Sequence, residues 1–171
     1  MKELKVSPKV KAKLKKIKLL LLDVDGVLSD GSILWIKGQG FTRIYHAHDG
    51  YGIRHIQRLG MKVGIISGGN SEDLQERIKF LGITHTVLGS EDKLASLNQL
   101  AEQTNTPFDQ ICFIGDDLFD LPALEKVGLA VTVPDGAPEV QKMADLITTI
   151  PGGKGAVRQL IDAIRKAQNL K

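Results

Sequence analysis

Two aspartates one residue apart end a run of leucines in Lys18-Leu-Leu-Leu-Leu-Asp23-Val-Asp25-Gly26. Like charges a few ångströms apart are costly to bury unless a cation or a shared proton compensates. The pair therefore points to a divalent metal, a carboxylate nucleophile, or both. A second apolar run ends on a hydroxyl and two glycines, Val63-Gly-Ile-Ile-Ser67-Gly68-Gly69. One lysine stands alone in Gly89-Ser-Glu-Asp-Lys93, and a third run ends on an acidic pair, Ile111-Cys-Phe-Ile-Gly115-Asp116-Asp117, with Asp120 just beyond. Spacing alone shows acidic groups, a hydroxyl and a lysine gathered where apolar runs end. Singly, each residue has a plainer reading. A serine before Gly-Gly is a turn residue, a lone lysine before a helix is solvated, and acids at a helix start offset its dipole.

The elements that must hold these residues follow from the hydrophobic pattern. A continuous leucine run reads as a strand buried on both faces, as in a parallel sheet. Asp23 and Asp25 then lie at its carboxyl end, where open α/β sheets place their ligand crevice. Apolar runs at 19–22, 63–66, 84–88, 111–114 and 129–133 alternate with helix-like segments at 50–59, 71–81, 92–104, 118–126, 137–143 and 154–168. The alternation predicts a doubly wound α/β fold, a parallel sheet with crossover helices on both faces. Residues 31–46 break the rhythm. Two β-prone segments flank Lys37-Gly38-Gln39-Gly40, predicting a short β-hairpin too small to be a separate cap domain. Its Ile, Trp, Phe and Tyr side chains need covering. Partner subunits are the simplest cover, and folding back on its own sheet is the alternative.

The length of 171 residues fits one domain spanning 1–171. No apolar stretch approaches the roughly 20 residues that span a bilayer, and no signal peptide is visible. The one cysteine, Cys112, lies inside an apolar run and reads as a buried thiol, consistent with a reducing cytoplasm. The net charge of +3 is uneven: residues 1–18 hold eight lysines and one glutamate, so the remainder is acidic. A basic tail can serve nucleic acid or an anionic membrane. Here Ser7-Pro8 reads as an N-cap with proline at the first helical position, and Val10, Leu14 and Ile17 recur at helical spacing. That predicts a basic N-terminal helix over 1–17 docked on the domain, with no aromatic residue to stack on bases. His55 and His85 carry no metal-ligand spacing and read as a helix-face and a strand-end residue.

The ordered set of junctions resembles the haloacid dehalogenase-like phosphohydrolases, whose first motif is DxDGx. Five further features occur in order. They are Asp23 to Gly31, the hairpin, His48-Asp49-Gly-Tyr-Gly-Ile-Arg54, Leu81-Gly-Ile-Thr-His85 and Gly152-Gly-Lys-Gly-Ala-Val-Arg158. Together they look like the 3-deoxy-D-manno-octulosonate 8-phosphate (KDO 8-phosphate) phosphatases, over about residues 16 to 168. The resemblance implies a Mg²⁺-dependent phosphomonoesterase that yields KDO and phosphate through an aspartyl-phosphate, on the route to lipopolysaccharide. It makes Asp23 the nucleophile and Asp25 the general acid and base. Ser67 and Gly68 then bind the phosphoryl group, and Lys93 neutralises its charge. Asp23, the backbone carbonyl of Asp25, and Asp116 hold the metal, with Asp117 and Asp120 placed just outside them. Residues His46, Ala47, His48, Asp49 and Gly50, with Arg54 and Arg77, fall where the family binds the sugar acid. Without the resemblance, Arg54 reads as a solvated helix residue and Arg77 as the partner of Asp73 in a surface i,i+4 pair. The family's hairpin is a minimal cap that helps assemble a homotetramer, whose neighbouring surfaces close each site. Two positions depart from its pattern, with Gly69 and His48 standing where arginines are usual. A related nine-carbon keto-sugar acid phosphate is therefore an alternative substrate. A phosphoacceptor domain without turnover is the rival from another class, but receiver domains place their acidic pair before the phosphorylated aspartate. A nucleic-acid 3′-phosphatase lacks support outside the lysine-rich tail.

Overall fold

Leu19–Leu22 form strand β1, and all four leucines are fully buried. Side chains alternate across a strand, so the four divide between two cores. Leu20 and Leu22 join one hydrophobic cluster, and Leu19 and Leu21 join the other. This is the condition for a sheet covered on both faces, and the computed structural model, which describes residues 3–171, has that architecture.

In chain order the elements are helix α1 (Pro8–Leu14), β1, β2 (Leu34–Ile36), β3 (Gly40–Thr42), α2 (Ala47–Arg58), β4 (Lys62–Ser67), α3 (Glu72–Leu81), β5 (His85–Leu88) and α4 (Lys93–Gln103). They continue with β6 (Ile111–Ile114), α5 (Leu121–Leu124), β7 (Leu129–Thr132), α6 (Pro138–Met143), β8 (Leu146–Ile147) and α7 (Ala156–Gln168). The main sheet is parallel throughout, in the order β5-β4-β1-β6-β7-β8. β1 is central, flanked by β4 and β6, so the three polar junctions of the sequence converge at one edge of three adjacent strands. Helices α2 and α7 pack together against the first cluster, and residues of α4 and α5 fill the second.

The predicted elements form with small changes. The expected helix over 118–126 is instead a 3₁₀ turn, Leu118–Asp120, followed by the short α5. Asp117 and Asp120 cap that turn reciprocally, and Pro122 in the first turn of α5 fixes where the α-helix begins. Two-residue β8 has too little sequence to carry a period. Met1 and Lys2, within the expected N-terminal helix, lie outside the described residues. The helix itself starts at Pro8, capped by Ser7, whose Oγ accepts from Val10 N at 3.2 Å. Val10 and Leu14 are buried while Lys9, Lys11, Lys15 and Lys16 face water.

The hairpin is the antiparallel pair β2–β3, with Trp35 opposite Phe41 in edge-to-face contact at 4.8 Å between ring centroids. Gly38 and Gly40 both have φ of +83°, which lets the chain reverse over Lys37–Gly40. Every residue of β2 is exposed, Trp35 by 67%. Among the described residues, no helix is long and apolar enough to cross a membrane.

Candidate active site

Asp23 leaves β1 with its backbone N–H still donating to Ile114 O at 3.0 Å, so the sheet sets its position. Its carboxylate is buried and ion-paired with the Lys93 ammonium. Lys93 begins α4 and is itself buried. Its Nζ also donates to Ile66 O at 3.1 Å, lies 3.0 Å from Asp120 Oδ1, and sits over the Phe119 ring at 4.7 Å. One cation thus ties together the ends of β4 and β1 and the turn after β6. Burial alone would lower the lysine's pKa, but Asp23 and Asp120 outweigh it and hold the ammonium above its ordinary range.

Asp116 completes the cluster. Gly26, with φ of +87°, brings it in: a Cβ there would lie 2.0 Å from Asp116 Oδ2, so no other residue leaves room for the carboxylate. Asp120 shapes the turn from within, its Oδ2 accepting from Asp116 N at 3.0 Å and Asp117 N at 3.3 Å. Gly115 is bare for the same reason, since a Cβ would meet that oxygen at 2.5 Å. Carboxylate oxygens of Asp23, Asp116 and Asp120 lie within 4.8 Å of one another. Burial, partly offset by Lys93 and reinforced by Asp120 and Asp116, pushes the Asp23 carboxyl up to about 8. Burial, with the charges of Asp120 and Asp117, pushes Asp116 up to about 7. Asp23 Oδ2 and Asp116 Oδ1 are buried without a hydrogen-bond partner. Hard oxygen donors, dry and unsatisfied, facing one another from two strand ends, fit Mg²⁺.

The expected and observed acidic groups differ in one respect. Asp120 is inside the cluster, whereas Asp117 is exposed and its Oδ1 accepts from Leu118 N at 2.7 Å, capping the turn. The Asp25 side chain is not among the clustered oxygens. It is half-buried and engaged by Arg43, whose Nε donates to Oδ1 at 2.6 Å and Nη2 to Oδ2 at 3.0 Å. Ser67, at the end of β4, is fully buried, and its Oγ accepts from Gly69 N at 3.0 Å, which shapes the turn at Gly68. Beside these residues lies a cleft of ≈ 270 Å³ lined by Asp25, Gly26, Asp30, Gly31, Asp116, Asp117, Phe119 and Asp135.

A second strand-end loop closes onto the first from far along the chain. Gly153 N donates to Val27 O at 2.9 Å, and a Cβ on Gly152 would lie 1.8 Å from Gly26 O. Lys154 Nζ then pairs with Asp30 Oδ2 at 2.8 Å. This is backbone-on-backbone contact, which only glycine allows.

The sugar-acid positions form a separate group at the start of α2. His46 caps that helix, its Nδ1 accepting from His48 N at 3.3 Å, and Ala47 and His48 are exposed. Gly50 makes room for Arg77, whose Nη2 would lie 2.6 Å from a Cβ there and reaches His46 O at 3.5 Å. The Arg77 guanidinium lies over Tyr45 at 5.0 Å, and both Arg77 and Arg54 lie over Phe80, at 5.8 and 5.6 Å. Arg77 does not form the i,i+4 pair with Asp73, because Asp73 is taken by Arg43 at 3.1 Å. Asp49 is buried, and its Oδ1 accepts from Arg158 N at 2.6 Å, so it holds the start of α7.

Arg43 is the residue that sequence reasoning missed. It follows β3 in a hairpin predicted from two β-prone segments around Lys37–Gly40, and nothing in its spacing pairs it with Asp25. The hairpin prediction was the one available signal, since it requires some residue at its root to fasten it.

A model of the haloacid dehalogenase-like hydrolases matches residues 89–160. The chain is 42% identical over 163 residues to the 3-deoxy-D-manno-octulosonate 8-phosphate phosphatase of Escherichia coli (strain K12), covering 95% of this chain and 87% of that one. The Moraxella catarrhalis phosphatase of the same name, solved with magnesium, phosphate and KDO, superposes with a TM-score of 0.90 at 39% identity, covering 94% and 92% of the two chains. The cobalt-bound Haemophilus influenzae phosphatase gives 0.89 at 36% identity, covering 92% of each.

Proposed function

The chain belongs to the 3-deoxy-D-manno-octulosonate 8-phosphate phosphatases, among the haloacid dehalogenase-like hydrolases, and from this premise we propose that it hydrolyses KDO 8-phosphate to KDO and phosphate. The observation that carries this reading is the buried quartet of Asp23, Lys93, Asp116 and Asp120 at the ends of β1 and β6. Desolvation makes all three carboxylates expensive there, and a bound cation would offset that cost and attract the phosphoryl group.

In the proposed reaction an Asp23 oxygen attacks phosphorus and the sugar's C8 oxygen departs, leaving an aspartyl-phosphate. Asp25 gives its proton to that departing oxygen, then takes one from the water that attacks the intermediate. Lys93 already touches the nucleophile, so it holds the Asp23 carboxylate in one orientation and neutralises charge on the phosphoryl oxygens. Ser67 Oγ and the N–H groups of the turn at Gly68 offer hydrogen bonds to the same oxygens. Asp23, Asp116 and the backbone carbonyl of Asp25 would hold Mg²⁺, with Asp120 alongside, and the ion when bound offsets phosphoryl charge. Arg54, Arg77 and His48 are the candidates for the sugar carboxylate, with His46, Ala47, Asp49 and Gly50 setting their frame.

The exposed hairpin face supports self-association as part of the same reading. The exposed Trp35, Phe41, Ile33 and Ile44 on and beside the hairpin would be covered in a homotetramer, with the cytoplasm as its setting. The test is phosphate release with Mg²⁺ from KDO 8-phosphate, a nine-carbon keto-acid phosphate, arabinose 5-phosphate and generic sugar phosphates. Selective turnover of KDO 8-phosphate, abolished by Asp23→Asn, supports the proposal. Selective turnover of the nine-carbon compound replaces the substrate. Stable labelling of Asp23 without release overturns hydrolysis.

A further inference from the structure

Asp25 transfers the proton in the proposed reaction, yet a side chain from outside the main sheet engages both its oxygens. Arg43 Nε and Nη2 meet Oδ1 and Oδ2 at 2.6 and 3.0 Å, the two-pronged geometry in which a planar guanidinium matches a carboxylate. The remaining nitrogen, Nη1, donates to Ser71 Oγ at 2.7 Å and Asp73 Oδ1 at 3.1 Å, where α3 begins. Tyr45 OH, two residues on, donates to Asp73 Oδ2 at 3.3 Å. The Arg43 side chain is 5% exposed. An arginine held at this many points has given up most of its rotamer freedom, so it works as a strut and not as a surface charge.

The strut runs through space that a side chain at position 69 would fill. A Cβ on Gly69 would lie 2.9 Å from Arg43 Nη2 and 3.5 Å from Ser67 Oγ. Gly69 is not among the glycines with positive φ, so its backbone conformation does not require glycine. The guanidinium does. The protonated carboxyl that this step requires has one O–H donor and keeps acceptor capacity on both oxygens, so Arg43 can hold it while the O–H faces the reacting oxygen. Ser29 Oγ, 3.3 Å from Oδ1, steadies the carboxylate from the other side.

We propose that Arg43 is a positioning residue for Asp25: carried in by the hairpin, it fixes the carboxylate for proton transfer to the leaving oxygen, and Gly69 is bare to admit it. Seating the hairpin and readying the acid are then one event. This deepens the phosphatase reading and rests on it.

The test compares two substrates on the Mg²⁺-loaded enzyme. KDO 8-phosphate expels an alkoxide that needs a proton, whereas acetyl phosphate expels acetate, which does not. With either, kcat/KM reports steps through the first irreversible one, formation of the aspartyl-phosphate. For Arg43→Met, kcat/KM on KDO 8-phosphate should fall about 100-fold, the usual size of a general-acid contribution, and on acetyl phosphate by less than about 3-fold. The loss should lie in kcat with KM nearly unchanged, and Arg43→Lys should recover part of it. Gly69→Ala leaves every charged partner in place, so it serves even if Arg43→Met fails to fold. It should lower kcat/KM on KDO 8-phosphate by about 10-fold and add nothing in the Arg43→Met background, the signature of a shared contact. Equal losses on both substrates, a loss confined to KM, or a Gly69→Ala effect independent of Arg43 would each overturn the proposal. A wild type that turns over neither compound would instead sink the phosphatase reading itself.

Discussion

The buried quartet around Asp23 and the hairpin above it serve one site under opposite constraints. In the quartet Asp23, Lys93 and Asp120 are buried and Asp116 half-buried, distances are fixed by strand ends, and Gly26 and Gly115 are bare because carboxylates fill their space. In the hairpin the strands are three residues each, β2 is wholly exposed, and Arg43 with Tyr45 fastens the root. The chemistry is built where solvent is absent, because there a charge is strong and its geometry is not renegotiated. The hairpin's outer face is instead apolar and open to solvent. The rigid centre and the exposed face are therefore separable here, and the comparison can be attacked from either side.

The heaviest blow falls on the proposed nucleophile. Asp23→Asn should reduce phosphate release by at least about 1,000-fold, read as burst-free steady-state kinetics with Mg²⁺. A residual rate within about 10-fold of wild type would mean that the attacking oxygen belongs elsewhere. Lys93→Met should cost activity and also, above about pH 8 where Asp23 is ionised, stability by about 3 kcal/mol, because it strands buried carboxylates without their cation. Thermal unfolding in EDTA measures it, and a loss below about 1 kcal/mol would show that the acids are neutral without help.

Next comes pH. The folded-state pKa values of Asp23 and Asp116 are raised to about 8 and about 7 from an ordinary 3.8. The metal-free folded protein therefore binds more protons than the unfolded chain, and its stability falls as pH rises through that window, from about 4 towards 8. Saturating Mg²⁺ should flatten the decline and raise the melting temperature most at the alkaline end. A melting temperature that climbs with pH in EDTA would contradict the buried-acid account. The smallest effect belongs to the hairpin face. Trp35→Ser with Phe41→Ser should change protomer stability by no more than about 0.5 kcal/mol while shifting the sedimentation coefficient towards a smaller species. Unchanged sedimentation would leave that face without a role in assembly.

The same contrast explains what could be read from the sequence. Strand ends were legible because burial on both faces forces a continuous apolar run, and a polar residue must then mark where the run stops. Thus Asp23, Ser67 and Asp116 stand where β1, β4 and β6 finish, and Lys93 opens α4. Asp120 was only half legible. Its sequence context is that of a helix cap, and it does cap, with one oxygen, while the other faces Lys93. Arg43 was illegible, because its partners Asp25, Ser71 and Asp73 lie 18, 28 and 30 residues away on elements whose packing no local period encodes. Asp49 shows a second role that its motif did not announce: one of its carboxylate oxygens holds the backbone at the start of α7.

The contact of Gly152 and Gly153 with the loop after β1 has a bearing on how the molecule is made. During synthesis the Asp23 loop leaves the ribosome early, but the lysine that pairs with its Asp30 follows 124 residues later. At about 5–20 residues per second, that wait is on the order of ten seconds. Throughout it the nascent chain carries its nucleophile on a loop that lacks its backbone partners. A chain ending before residue 152 would carry Asp23, Asp25, Ser67, Lys93 and Asp116 and still lack the contacts that Gly152 and Gly153 make with the loop after β1.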